Sequence, residues 1–196
     1  MTDSERPVRL GGVRTGALAA AGILAIALAV VIGAGSLSGA PRPAAGARSS
    51  PDPALRRYVQ DLQAVMAPGG QVVETDMKPS LRAFAQGQVS PADMGARARS
   101  WQIALQRVKS RFLALLPPAE VGGATPLFAA ALDQYLAAAR FGEQASEAGP
   151  DQRPVYLEQA AQAGRSGDQK YNAAAKVVQD ALRAQGSSPD PNLPGG

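Results

Sequence analysis

Ser90-Pro91-Ala92-Asp93-Met94-Gly95-Ala96-Arg97-Ala98-Arg99-Ser100-Trp101-Gln102-Ile103-Ala104-Leu105-Gln106-Arg107-Val108-Lys109-Ser110-Arg111-Phe112-Leu113-Ala114-Leu115 reads as one amphipathic helix. Met94, Ala98, Trp101, Leu105, Val108, Phe112 and Leu115 alternate spacings of four and three, the a/d seam of a heptad. Ser90 suits the N-cap, Pro91 the first turn, and Asp93 the third helical position, a pattern resembling a capping box. Pro117-Pro118 cannot continue the helix and ends it. A helix with one continuous apolar seam needs partners of the same kind.

The flanking sequence supplies them. Toward the N-terminus, Asp52 and Pro53 start a helix whose stripe is Leu55, Tyr58, Val59, Leu62, Val65 and Met66. Pro68-Gly69-Gly70 is expected to interrupt it. Val72, Val73, Met77, Leu81 and Phe84 predict that helix resumes, bent near Pro79. Toward the C-terminus, Thr125-Pro126 opens a helix with Phe128, Leu132, Tyr135 and Ala139 inward, and Gly149-Pro150-Asp151 breaks it. The last helix is expected over about residues 152–185. Its seam reads Leu157, Ala161, Gly164, Asp168, Tyr171, Ala175, Val178 and Leu182. Four such segments with short connections predict an all-α antiparallel four-helix bundle over residues 52–186. In that arrangement Trp101 is expected in the core, packed on the notch left by Gly164 and Gly167, with Asp168 close by.

Outside the bundle the chain changes character. Residues 15–41 carry no charge, and residues 16–35 are all apolar or Gly. About twenty such residues cross the hydrocarbon of a bilayer, so residues 16–37 are read as a single transmembrane anchor. Arg6, Arg9 and Arg14 precede it, which places the short segment 1–15 in the cytoplasm and the bundle outside. A cleaved signal peptide, giving a secreted helical domain, is the rival reading; its h-region would be unusually long. Residues 38–51, rich in Pro, Ala, Gly and Ser, read as a tether, and residues 187–196 as a disordered tail. The Ala, Gly, Pro and Arg bias points to a GC-rich bacterial genome.

Composition narrows the chemistry. The chain has no His and no Cys. That removes the commonest general base, the commonest metal ligand and the thiol nucleophile. No catalytic residue, metal ligand or cofactor is expected. The net charge of +4 is shared between the membrane flank, residues 1–51 at net +3, and the bundle, residues 52–186 at net +2, offset by Asp190. This gives no support to nucleic-acid binding. Glu74-Thr75-Asp76 reads as a plain acidic patch, and the i,i+4 pair Glu143 and Glu147 as a solvated face. Ser166 and Lys170 lack the spacing and companions of a Ser-Lys hydrolase.

Two features stand above this background. Asp168 lies on the expected core seam, where a carboxylate needs a partner; Arg165, a Tyr hydroxyl such as that of Tyr171, or the Trp101 indole is expected to supply it, the alternatives being a mis-phased, exposed Asp or a ligand site. Arg97, Arg99, Arg107, Lys109 and Arg111 follow one another on a single helix with no acid after Asp93. They read as pairing with acids such as Asp133, Glu143 and Glu158, or as a face for anionic lipid headgroups or an acidic partner. Ala29-x-x-x-Gly33 and Gly35-x-x-x-Gly39 would allow close helix contact in the membrane, a weak signal for a homo-oligomer. The functional expectation is a membrane-anchored, extracytoplasmic interaction or scaffold module of the cell envelope. Its partners would be the bilayer, through residues 16–37, and another envelope protein. A bundle that binds or senses a small ligand is the alternative.

Overall fold

A computed structural model describes residues 52–185. The expected anchor, tether and tail lie outside the described residues. Among the described residues the chain is all-helical, and no helix is long and apolar enough to cross a membrane.

The first helical stretch is α1 (Pro53–Gln71), a π-helical segment (Val72–Met77) and α2 (Lys78–Ala85) in unbroken succession. Asp52 caps it, its carboxylate accepting from the Ala54 backbone N–H at 2.9 Å. The helix runs straight through Pro68-Gly69-Gly70, where the sequence predicts an interruption. Gly69 is buried against α3: a Cβ at this position would lie 3.3 Å from Val108 Cγ1. The expected irregularity near Pro79 takes the form of widened turns. The Lys78 N–H bonds the Val73 carbonyl, five residues back. A regular turn would drive the Pro79 ring against the carbonyl of Thr75; the wider π-helical turns relieve that conflict.

The connection to α3 (Pro91–Leu113) turns on Gly87, whose φ is +72°. Its N–H bonds the Phe84 carbonyl and the Gln88 N–H that of Ala83, the paired bonds of a left-handed helix stop. Ser90 then caps α3 as the sequence predicts, Oγ accepting from the Asp93 N–H at 3.1 Å. A short 3₁₀ turn (Ala119–Val121) leads to α4 (Ala124–Glu147), and a tight turn to α5 (Arg153–Ala184). Arg153 fastens that turn: its guanidinium donates to the Ala145 and Ala148 carbonyls and lies 5.1 Å above the Phe84 ring centroid.

Side-chain pairs fix the directions. Asp76 with Arg97 and Gly69 with Val108 set the first stretch antiparallel to α3. Lys109 with Asp133 and Arg99 with Glu143 do the same for α3 and α4. Arg153 with Ala145 and Tyr135 with Asp168 do it for α4 and α5. Lys78 with Asp168 joins α5 back to the first stretch, so α3 and α5 occupy opposite corners.

The seams of the first three segments are buried as their spacing predicts, from Leu55 to Met66, from Met94 to Phe112, and from Phe128 to Ala139. The phase of the N-terminal half of α5 departs from the expectation. Ala160, Ala163, Gly164 and Gly167 face inward, Ala161 is exposed, and Asp168 is half-buried at the edge. α4 in turn buries Ala131, Ala138, Ala139 and Ala145, while its Gly142 faces Leu81, Met94 and Trp101. Two small-residue surfaces let these helices approach closely, and so the contact is made by residues that a hydrophobicity pattern barely registers.

Candidate functional site

The π-helical segment and the start of α2 place four polar side chains at two-residue intervals, and they divide between two clusters. Glu74 and Lys78 face α4 and α5; Asp76 and Ser80 face α3. The acidic stretch that reads as a solvent patch is thus split between two sides of one helix.

In the first cluster Lys78 Nζ donates to Glu74 Oε1 at 2.5 Å and to both Asp168 oxygens at 3.1 and 3.0 Å. Tyr135 OH donates to Asp168 Oδ1 at 2.7 Å. Burial opposes the charge on Lys78, but the Glu74 and Asp168 carboxylates outweigh it and raise its pKa. Burial, reinforced by the Asp168 carboxylate, raises that of the Tyr135 phenol, which stays a donor. The Tyr135 ring fills the notch at Gly167, where an added Cβ would lie 2.6 Å from Cε1.

In the second cluster the Trp101 indole N–H donates to Asp76 Oδ2 at 2.7 Å. Ser80 Oγ donates to Asp76 Oδ1 at 3.0 Å, and Arg97 reaches both Asp76 Oδ1 and Ser80 Oγ. Burial pushes the Asp76 pKa up, yet the bonds from Trp101 and Ser80 and the Arg97 charge hold it below the usual carboxylate range.

The residues expected around Asp168 are therefore not one site. Trp101 is buried, but it packs beside Gly142 and bonds Asp76, on the other side of the π-helical segment from Asp168. Nothing lies within 4 Å of a Cβ at Gly164. Arg165 pairs with Glu158 at 2.9 Å, and the Tyr171 ring meets Phe128 edge-on at 5.3 Å. Tyr135 and Lys78, which take the places expected for those partners, sit on helices whose register to α5 no spacing rule gives. Chemically, both clusters do the same thing. They hold opposite charges and donors in mutual contact and pin the widened turns against three neighbouring helices.

The basic residues of α3 separate into two groups. Arg97, Arg99 and Lys109 are engaged by Asp76, Glu143 and Asp133. Glu158 takes no part: it is on α5, at the corner opposite α3, and pairs with Arg165. Arg107 and Arg111 are exposed and form no ion pair among the described residues, and neither does Arg140 of α4. Arg107 and Arg140 flank a shallow open groove between α3 and α4, with Leu136 at its floor and Ile103 on its rim. Ile103 is 62% exposed, Leu113 55% and Leu116 91%. The outer α3–α4 side thus combines uncompensated guanidinium groups with the bare aliphatic side chain of Ile103. Neither Ile103 nor Arg140 belongs to an apolar seam or to the basic run of α3. Ile103 was findable, as a large apolar residue on the side of the heptad opposite the seam.

No protein-family description, curated protein or solved structure matches this chain.

Proposed function

We propose that this protein is a non-enzymatic interaction module, held at the outer face of a cell membrane by residues 16–37, whose contact surface is the outer side of α3 and α4. The observation that carries the reading is the combination, along one groove, of Arg107 and Arg140, which form no ion pair, with exposed Ile103; Arg111, also without an ion pair, follows one turn after Arg107. Long charged side chains that answer nothing within the bundle, beside apolar side chains that bury nothing, fit a face completed by an anionic partner. The two clusters at the π-helical segment support a rigid body, since their donors and charges are engaged with one another.

Crosslinking and affinity capture from intact membranes test this reading. The full chain should recover a crosslinked partner that the Arg107→Glu, Arg111→Glu, Arg140→Glu triple variant loses. A protease added to spheroplasts should remove the bundle from the membrane. Equal capture by the variant, or a bundle protected from the protease, would overturn the reading.

A further inference from the structure

We infer that the anionic partner of the α3–α4 side is the headgroup layer of the chain's own membrane, so that the bundle lies on its side against the bilayer. The inference rests on the proposed anchor and names the partner of the surface proposed above.

Reach is the first argument. The stretch between the expected span and Asp52 is residues 38–51, and such a link cannot exceed about 50 Å even fully extended. Residues 53–85 form a rod also about 50 Å long at the rise of a helix. The side of the bundle therefore stays within roughly its own length of the bilayer, at high effective concentration relative to it.

Chemistry is the second. Arg107 and Arg111 are four residues apart on the outer side of α3, and Arg140 faces Arg107 across the groove. Of the acids on this side of α4, Asp133 and Glu143 are already held by Lys109, Arg99 and Gln102, which leaves Glu147, exposed one turn beyond Glu143, against the three arginines. What remains is net positive. Guanidinium groups bind phosphate oxygens in a forked geometry. Ile103 brings an aliphatic side chain to this side, where it can enter the boundary between headgroups and acyl chains, and Leu113 and Leu116 are exposed at and just beyond the end of α3. A second copy of this chain is a poor occupant, because two such faces would oppose like charges.

The test uses the full chain in nanodiscs, either of phosphatidylcholine alone or with a third phosphatidylglycerol. The absence of Cys permits single labelling sites. An environment-sensitive dye on Ile103→Cys should be quenched by headgroup spin labels in the anionic discs. The same dye on Val155→Cys, on α5 at the opposite corner, should not be. Each arginine near an anionic surface is worth roughly a fivefold shift in the docked population, so the triple Arg→Glu variant should lose about a hundredfold or more. High salt should weaken docking of the wild type. Circular dichroism of each variant verifies that the bundle remains folded. Equal quenching at the two sites, quenching indifferent to phosphatidylglycerol, or a docked triple variant would overturn the inference. So would protection of position 103 by an acidic protein but not by lipid. Flotation with liposomes in alkaline carbonate reports on the anchor separately: a chain that does not float refutes the anchor, whatever the dye shows.

Discussion

The bundle contains two cores built on different rules. Toward the Asp52 end, Leu55, Tyr58, Leu62, Met66, Phe112, Phe128, Val178 and Leu182 form an apolar cluster. Phe112, Phe128 and Tyr171 run through it edge to face, at 5.8 and 5.3 Å. Toward the other end, Val73, Met77, Met94, Trp101, Leu105 and Tyr135 form a second cluster, bordered by the two charged networks and crossed by the π-helical segment. The first core is specified by size and hydrophobicity. In the second, position along the helix is specified by polar pairing. The contrast teaches that this chain places its irregular turns where directional bonds can hold them.

The largest expected effects come from emptying either core. Phe112→Ala and Trp101→Ala should each cost about 3–5 kcal/mol, a large part of the ~5–15 kcal/mol available to a domain. They should differ in acid. The lowered pKa of Asp76 contributes stability that is present above the ordinary carboxylate range and lost as pH falls through the folded-state value. Trp101→Ala removes an indole bond that favours the Asp76 anion, so its cost should shrink as pH falls through that range. The cost of Phe112→Ala should not. Urea melts at neutral and acidic pH read both. Parallel pH curves for the two variants would erase the distinction between the cores.

A smaller effect sharpens the account of α5. Gly167→Ala would drive a methyl group into the Tyr135 ring and should cost about 1–3 kcal/mol. Gly164→Ala meets nothing within 4 Å and should be neutral or stabilise by up to ~1 kcal/mol, through helix propensity alone. Thermal melts of the pair decide it, and equal shifts would contradict the observed phase of α5.

The smallest effect is at the edge of the second core. Lys78 is about a third exposed, so Lys78→Met should cost no more than about 1 kcal/mol at neutral pH. Its raised pKa contributes stability present below the unfolded lysine value and lost as pH rises through the folded value. Wild type should therefore converge on the variant in strong base. A gap that stays constant into that range would mean that the amine matters by packing and not by charge.

The four helical stretches were legible because their seams use large residues at regular spacing, Leu55 to Met66 and Met94 to Phe112 above all. Three features were not. Pro68-Gly69-Gly70 looks like a stop, yet the helix continues through it, with Gly69 packed closely on Val108. The α4–α5 contact is written in Ala and Gly, so the heptad drawn through Asp168 is displaced from the true inner surface. The partners of Trp101 and Asp168 depend on which side of the π-helical segment each of Glu74, Asp76 and Lys78 points to, and no regular period anticipates that. The basic run on α3 was visible in the sequence. Its division into engaged and unengaged arginines needed the positions of Asp76, Asp133 and Glu143.

The central functional claim is that the outer α3–α4 side is the contact surface and that it rests on lipid. Site-specific photocrosslinking of the full chain in its native membrane tests it most directly, with the photoreactive residue at position 103 or 155, both exposed aliphatic positions. The account predicts phospholipid adducts at 103, few at 155, and loss of the 103 adducts when Arg107 and Arg140 become Glu. Equal lipid labelling at the two positions, or adducts at 103 that survive both substitutions, would contradict it.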